Sequence, residues 1–133
     1  MLDTSAVVAL LLGGPSARTL ANRLAADAER VMSAASYVEL GIVIAGRRRS
    51  DGGDLMDFLD DYLADAGVEM RPVDEAQARL ALQARIRFGR GMGHGGVLNF
   101  GDCFSYALAK SLDAPLLYVG QDFATTDIKS ALD

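Results

Sequence analysis

The sequence has little that could cross-link the chain or carry it through a membrane. Its 133 residues include one cysteine, Cys103, so no disulfide can form within the chain, which agrees with a reducing cytoplasm. The longest apolar runs are interrupted by Glu39 or by Gly13-Gly14-Pro15, well short of a membrane span, and no signal peptide is evident at the N-terminus. We therefore expect a soluble, cytoplasmic protein.

A long polar tract is also absent, and half of the residues are apolar. A chain of this length suits a single domain, residues 1–133, that buries its core without disulfides or zinc. Taken as a sum, the net charge of −5 argues against nucleic acid as a partner. The basic residues are clustered, however, and could contact phosphates locally. They lie in Arg47-Arg48-Arg49 and at Arg85, Arg87 and Arg90.

Short apolar segments alternate with helical patterns, which is typical of a parallel sheet flanked by helices. The pattern predicts strands at residues 1–2, 30–32, 68–71 and 116–119. It predicts helices at residues 6–12, 16–27, 36–48, 53–66, 75–88 and 102–112. Only Met1 and Leu2 precede Asp3, whereas a central strand usually has about five residues, so we expect a short first strand.

Four acidic residues occur where a strand ends or where a helix is otherwise apolar. Asp3 follows the first strand, and Asp122 follows the last. Glu39 is the only charged residue in an apolar helical run, and Asp102 opens the last helix. Open α/β folds bind their ligands at the carboxyl edge of the sheet, so we expect a site there.

The charges of these acids restrict what the site could bind. Two carboxylates about 5 Å apart repel by roughly 3 kcal/mol at an effective dielectric constant near 20, so four of them need a cation or bound protons. Oxygen ligands without histidine or cysteine suit Mg²⁺ or Mn²⁺. Such ions activate water and stabilise phosphate oxygens in phosphodiester cleavage. The sequence therefore predicts a magnesium site.

Four motifs around these acids resemble the PIN domain and, within it, the VapC-type ribonuclease toxins. In order they are Asp3-Thr4-Ser5-Ala6, Ser36-Tyr37-Val38-Glu39, Leu98-Asn99-Phe100-Gly101-Asp102-Cys103 and Gly120-Gln121-Asp122-Phe123. The resemblance covers nearly the whole chain and implies a three-layer α/β/α fold. Because members of this family usually carry another apolar residue or two before the first aspartate, we also expect either that the true N-terminus lies upstream of Met1 or that a residue is omitted from this strand.

The resemblance implies an endoribonuclease that depends on Mg²⁺ and cleaves RNA, such as tRNA or rRNA, with water activated by the metal. A cognate antitoxin would hold it inactive, and the protein would form a homodimer. The catalytic and metal-binding residues would be Asp3, Glu39, Asp102 and Asp122. The helical hairpin that contains Leu40 and Leu59 would grip the antitoxin, although apolar stripes of this kind are usually core.

Several polar residues near these acids have both a structural and a functional interpretation. Thr4 and Ser5 could cap the first helix or orient Asp3. Ser36 lies three residues before Glu39 and so shares roughly its helix face. Asn99 could be the cap of the last helix, which would leave Asp102 free to face the metal.

Asp3 and Asp102 could themselves be no more than helix caps. Asp127 competes with Asp122 as the fourth acid, and it could equally be a surface cap. Cys103 is expected to be a buried apolar residue rather than a nucleophile.

The segment of residues 89–96 contains five glycines, a density that excludes a stable helix and indicates a loop. It is either a lid over RNA or a plain connection. If it is a lid, RNA contacts would come from Arg87, Arg90 and His94.

Three other functions fit the pattern less well. A catalytically inactive PIN-like module that only binds metal or RNA would not need all four acids. A haloacid-dehalogenase-like phosphatase needs an acid two positions after the first aspartate, where this chain has Ser5. A receiver domain needs adjacent acids near the first strand and a lysine after a late strand, and neither is evident.

Overall fold

The computed structural model describes residues 1–48 and 53–133. Within them the chain forms six helices and two short strands. In order these are α1 (Thr4–Leu12), α2 (Ala17–Ala26), β1 (Val31–Ser33), α3 (Ala34–Arg48), α4 (Gly53–Asp65), β2 (Glu69–Arg71), α5 (Glu75–Phe88) and α6 (Phe100–Ser111). All six predicted helices are present, and the predicted boundaries differ from these by one or two residues at most ends.

The sheet is parallel and has the segment of residues 1–3 at its centre. β1 pairs with β2, with Val31 opposite Glu69. On the other side of β1, the amide of Leu2 donates to the carbonyl of Val31 at 2.9 Å. Leu2 also pairs with Leu117, and Leu116 pairs with Ser130. The spatial order of the extended segments is therefore 69–71, 31–33, 1–3, 116–117 and 129–131.

Two of the strands predicted from the sequence are short in this sheet. The first strand is short, as expected, because it contributes a single bridge at Leu2. The strand predicted at residues 116–119 is also short, since its bridges involve only Leu116 and Leu117. The amide of Val119 instead donates to the hydroxyl of Ser5 at 3.0 Å, which turns this end of the segment toward α1.

Neighbouring residues in the central segments pack into opposite cores. Leu2, Met32 and Leu117 are buried in one core, which helices α1 to α4 complete. Met1, Val31 and Leu116 are buried in the other, which α5 and α6 complete. Because side chains alternate along an extended strand, this arrangement places helices on both faces of the sheet. The predicted three-layer α/β/α fold is confirmed.

Capping explains why two helices begin earlier than predicted. Asp3 is the N-cap of α1 and accepts a hydrogen bond from the Ser5 amide, so the helix begins at Thr4 rather than at residue 6. Asn99 is the N-cap of α6, and this helix begins at Phe100 rather than at Asp102. In both helices the polar side chain satisfies an amide that would otherwise lack a partner.

The apolar stripes of α3 and α4 are mainly core, as such stripes usually are. Leu40, Ile44, Leu55 and Leu59 are all buried. The hydroxyl of Tyr37 donates to Asp60 at 2.7 Å and joins the two helices near their exposed face.

The arginine cluster at the end of α3 is only partly described. Arg47 is exposed, whereas Arg49 and the Arg48 side chain lie outside the described part of the chain. In the ranges that the structure does describe, no helix is long and apolar enough to span a bilayer.

Candidate active site

Asp3 lies at the junction between the central strand and α1, at the carboxyl edge of the sheet. Its side chain is 2 % exposed, yet both of its oxygens have donors. Oδ2 accepts from the amide of Ser5 at 3.0 Å and from its hydroxyl at 2.6 Å. Asp3 is therefore a helix cap and a cleft residue at once, because the chain turns from strand to helix at this position.

The other oxygen of Asp3 accepts from a residue that the sequence analysis did not single out. The hydroxyl of Ser105 donates to Oδ1 at 2.6 Å. Ser105 follows Asp102 by three residues and is a buried hydroxyl on the largely apolar inner face of α6. A buried polar position one helix turn after a candidate ligand is the signal that could have identified it.

Ser36 supports Ser105 from α3. The two hydroxyl oxygens are 3.0 Å apart, and the carbonyl of Ser36 accepts from the hydroxyl of Thr4 at 3.1 Å. Both serines are 1 % exposed or less. Thr4, Ser5 and Ser36, which the sequence analysis treated as supporting residues, thus all belong to the hydrogen-bonded surroundings of Asp3.

Glu39 projects from α3 at the edge of the same region and is half-buried. Burial raises the pKa of its carboxyl group above the usual value; the neighbouring Thr4 hydroxyl opposes this change, and the nearby charge of Asp3 adds to it. Gly101 lies opposite, where a Cβ atom would overlap the Glu39 carboxylate. The glycine therefore leaves the space that this carboxylate occupies.

Asp102 and Asn99 form a reciprocal cap at the start of α6. The amide of Asp102 donates to Asn99 Oδ1, and the amide of Asn99 donates to Asp102 Oδ2, each at 2.9 Å. The expectation that Asn99 caps the helix is correct. The expectation that Asp102 is left free is wrong, because one of its oxygens completes the capping box.

Burial raises the pKa of Asp102 to about 7, against the opposing hydrogen bond from Asn99. The charges of Asp3, Asp122 and Glu39 raise it further. The other three acids are thus close enough to influence Asp102. A carboxyl group with a pKa near neutrality can exchange its proton for a cation at physiological pH.

Asp122 and Asp127, the two candidates for the fourth acid, lie in different surroundings. Asp122 is exposed and lines the same cleft as Asp3 and Asp102. Asp127 instead pairs with Lys110 at 2.7 Å and accepts from the hydroxyl of Tyr106 at 2.8 Å. The structure brings Asp122, and not Asp127, to the cleft.

The cleft is open and has a volume of about 380 Å³. Its polar lining consists of the four acids, Thr4, Ser5 and Asn99. In the described ranges, no three side chains of the histidine, cysteine, aspartate or glutamate type are gathered closely enough to hold a metal ion. The tight cluster expected from the sequence is therefore not formed. Both oxygens of Asp3 and one oxygen of Asp102 accept hydrogen bonds from donors within the chain.

The donor set nevertheless fits a divalent cation. All its side-chain ligands are oxygen atoms, which suits Mg²⁺ or Mn²⁺. The pKa of Asp102 is raised first by burial and then by the charges of three neighbouring carboxylates, and a cation bound in the cleft would offset those charges. Cys103 is buried, as expected, and burial raises the pKa of its thiol to about 11, so it is unsuited to act as a ligand or nucleophile.

The candidate RNA-contacting residues are not brought to the cleft. Arg87, Arg90 and His94 are exposed, and the described residues that line the cleft include none of them. Arg87 lies over the ring of Phe88 at 4.7 Å. Residues 89–96 form no helix, as predicted, and two backbone hydrogen bonds close the base of the loop, from the amide of Arg90 to the carbonyl of Leu98 and from the amide of Leu98 to the carbonyl of Phe88.

An α/β/α domain with an all-oxygen acidic cleft at its sheet edge defines a class of protein suited to metal-dependent phosphodiester cleavage. Comparison with known proteins makes the class specific. The PIN domain family matches residues 1–129, and this chain belongs to that family.

Its relatives include mycobacterial ribonucleases. Ribonuclease VapC28 of Mycobacterium tuberculosis is 45 % identical over 133 residues, which cover 100 % of this chain and 98 % of the relative. Ribonuclease VapC of Mycolicibacterium smegmatis is 45 % identical over 128 residues, 96 % of each chain. The family resemblance drawn from the four motifs is confirmed.

A solved structure supports the fold independently. The crystal structure of Mycobacterium tuberculosis VapC20, described as a toxin that cleaves the sarcin-ricin loop, matches with a TM-score of 0.73. The match covers 96 % of this chain and 94 % of that one. At 17 % identity the comparison concerns the fold alone.

Proposed function

We propose that this protein is a VapC-type endoribonuclease toxin that uses Mg²⁺, or alternatively Mn²⁺, held by Asp3, Glu39, Asp102 and Asp122. The observation that carries the proposal is that these four acids, from four separate parts of the chain, line one cleft. The relatives that are 45 % identical over the whole chain are ribonucleases. RNA is therefore the substrate we propose, with tRNA and rRNA as the first candidates.

The chain supplies a prepared set of oxygen donors. Asp3 is oriented by its three hydrogen-bond donors, and Asp102 by the capping box of α6. A bound divalent cation would supply Lewis acidity, which generates a hydroxide nucleophile near neutral pH and stabilises charge on the phosphate oxygens. Without a bound cation, the pKa of Asp102 is about 7, so this carboxyl group is mostly protonated below neutral pH. The proton limits the repulsion between the carboxylates of the cleft.

A protein nucleophile is not part of this proposal. Cys103 is buried with a raised pKa, and Ser5 already donates its proton to Asp3. The role of Ser5 also disfavours the phosphatase alternative, because that chemistry needs a carboxylate at this position. A PIN-like module that binds metal or RNA without turnover remains the alternative that experiment must separate.

Inhibition by a cognate antitoxin is the second part of the proposal. An apolar groove of about 520 Å³ lies between α3 and the start of α6. Val38, Ile42 and Phe100 line it and are 58 %, 68 % and 76 % exposed. Glu39 borders both this groove and the cleft, so an antitoxin segment seated here would cover a catalytic acid. We further propose that the toxin acts in the cytoplasm as a homodimer.

The decisive experiment is cleavage of a pool of structured RNAs, including tRNA and rRNA, by the purified protein with Mg²⁺ or with EDTA. Asp3→Asn and Asp102→Asn are compared with the control Asp113→Asn. Asp113 is exposed after α6 and has a positive φ of 48°, which asparagine tolerates. We expect cleavage by the wild type and the control only, and only with Mg²⁺.

Other outcomes would redirect the proposal. Full Mg²⁺-dependent cleavage by Asp3→Asn and Asp102→Asn would refute the assignment of these acids. Binding of Mg²⁺ by the wild type without turnover on any RNA of the pool would favour the binding module. Circular dichroism of each variant excludes misfolding as the cause of a loss.

A further inference from the structure

A chain of two hydroxyl groups, one from α3 and one from α6, ends on the Asp3 carboxylate. Ser105 in α6 donates to Asp3 Oδ1 at 2.6 Å, and Ser36 in α3 lies 3.0 Å from Ser105. Thr4 in α1 donates to the carbonyl of Ser36 at 3.1 Å. None of these side chains is more than 5 % exposed, so bulk water has little access to replace a missing donor.

The chemistry of the groups gives this chain a direction. An ionised carboxylate can only accept hydrogen bonds, and a serine hydroxyl has one proton to donate. Ser105 uses its proton on Asp3, so Ser36 must be the donor in the contact between the two serines. Ser36 therefore acts on Asp3 only through Ser105. Consecutive hydrogen bonds in a buried site polarise and strengthen one another.

On the basis of the proposed metal-dependent function, we propose that Ser105, supported by Ser36, positions the Asp3 carboxylate for a divalent cation. Ser5 holds one oxygen of Asp3 from within α1. Ser105 holds the other from α6, the helix that also carries Asp102. The hydrogen bond thus fixes the orientation of one acid relative to the helix that supplies another.

The direct test is titration of the purified protein with Mn²⁺, without RNA, by isothermal calorimetry. Loss of a group that orients a metal ligand typically weakens binding by about tenfold or more. We expect a rise in the Kd of about tenfold for Ser105→Ala and a smaller rise for Ser36→Ala. Ser105→Thr keeps the hydroxyl and is expected to bind Mn²⁺ nearly as well as the wild type.

The double variant tests the direction of the chain. Because Ser36 acts through Ser105, adding Ser36→Ala to Ser105→Ala should leave the Kd for Mn²⁺ unchanged. Ser111→Ala is the matched control, since Ser111 belongs to α6 but donates to the carbonyl of Leu108. RNA cleavage provides a second readout: the loss in Ser105→Ala should shrink as Mg²⁺ is raised to saturation, whereas a purely structural defect would persist.

The possible failures are distinguishable. An unchanged or lower Kd in Ser105→Ala would overturn the positioning role, as would a full Ser36→Ala effect in the Ser105→Ala background. If the wild type binds no Mn²⁺, or if Asp3→Asn binds it equally well, the proposed function fails as well. Should Ser105→Ala not fold, Ser105→Thr and Ser36→Ala decide the matter, and wild-type affinity in Ser36→Ala would then overturn the proposal.

Discussion

Gly101 lies so close to Glu39 that a side chain at position 101 would overlap the carboxylate. The glycine is in the first turn of α6, and the glutamate is in α3. The Glu39 carboxylate therefore occupies the space beside α6 that a side chain at position 101 would fill.

We expect Gly101→Ala to reduce Mg²⁺-dependent RNA cleavage at least tenfold, because the new methyl group must displace the Glu39 carboxylate. Initial cleavage rates with Mg²⁺ measure the effect. The control is Gly46→Ala in α3, where no atom lies within 4 Å of an added Cβ. Gly46→Ala should keep full activity and stabilise the protein by up to about 1 kcal/mol. Equal activities of the two variants would contradict this account of Gly101.

We expect Asp102→Asn to stabilise the metal-free protein in alkaline solution. Because the pKa of Asp102 is raised from 3.8 to about 7, the folded state holds a proton that the unfolded state has released in this interval. The free energy of unfolding contributed by Asp102 therefore falls as the pH rises from about 4 to about 7. Asparagine removes the charge and keeps a cap acceptor.

Thermal unfolding in EDTA at pH 5 and pH 8 tests this. Asp102→Asn should raise the Tm at pH 8 by on the order of 5 °C and have a smaller effect at pH 5. Asp74→Asn, which alters the N-cap of α5 outside the cleft, is the control and should show no gain at pH 8. A gain of equal size at both pH values would argue against ionisation as its cause.

Asp122→Asn should reduce RNA cleavage, whereas Asp127→Asn should reduce only the stability of the protein. We expect Asp122→Asn to lose most Mg²⁺-dependent cleavage, because Asp122 lines the cleft. Asp127→Asn should keep cleavage but lose up to about 1 kcal/mol of stability, because it weakens the ion pair with Lys110. Cleavage assays and urea unfolding of both variants check this, and the reverse pattern would make Asp127 the fourth acid.

Ile42→Ser and Phe100→Ser should weaken inhibition by the antitoxin without slowing cleavage by the free toxin. Both side chains line the apolar groove and are largely exposed, so their replacement costs the free protein little. We expect the Kd for the purified antitoxin to rise at least tenfold. Leu132→Ser, which replaces an exposed apolar residue away from the groove, is the control. Unchanged affinity in both groove variants would place the antitoxin elsewhere.

The residues of the candidate site could be predicted from the sequence to different degrees. Asp3 was recognisable because it follows a strand, and Asp102 because it opens a helix. Both are local patterns, which depend on neighbouring residues. Asn99 was recognisable as a cap for the same reason. Ser105 was not, because its partner Asp3 is 102 residues away. A serine on a buried helix face does not reveal in the sequence which distant group it binds.

The glycine-rich segment shows that residues close in sequence can lie apart in the structure. Its composition correctly excluded a helix. Arg90 and His94 lie close to Asp102 in the sequence, but they do not line the cleft. Two backbone hydrogen bonds hold the base of the loop, where Leu98 accepts from the amide of Arg90 and donates to the carbonyl of Phe88. Neighbours in sequence thus need not share a site.

The sequence by itself determined the alternation of helices and strands, the all-oxygen character of the site and membership of the PIN domain family, because these depend on local periodicity and on ordered motifs. Only the tertiary structure decided that Asp122 rather than Asp127 faces the cleft, that Asp102 also serves as a cap, and that Ser105 and Ser36 support Asp3. The cap joins Asp102 to Asn99, only three residues away, whereas the other arrangements join segments far apart in the chain, and their geometry follows from the packing of helices on both faces of the sheet.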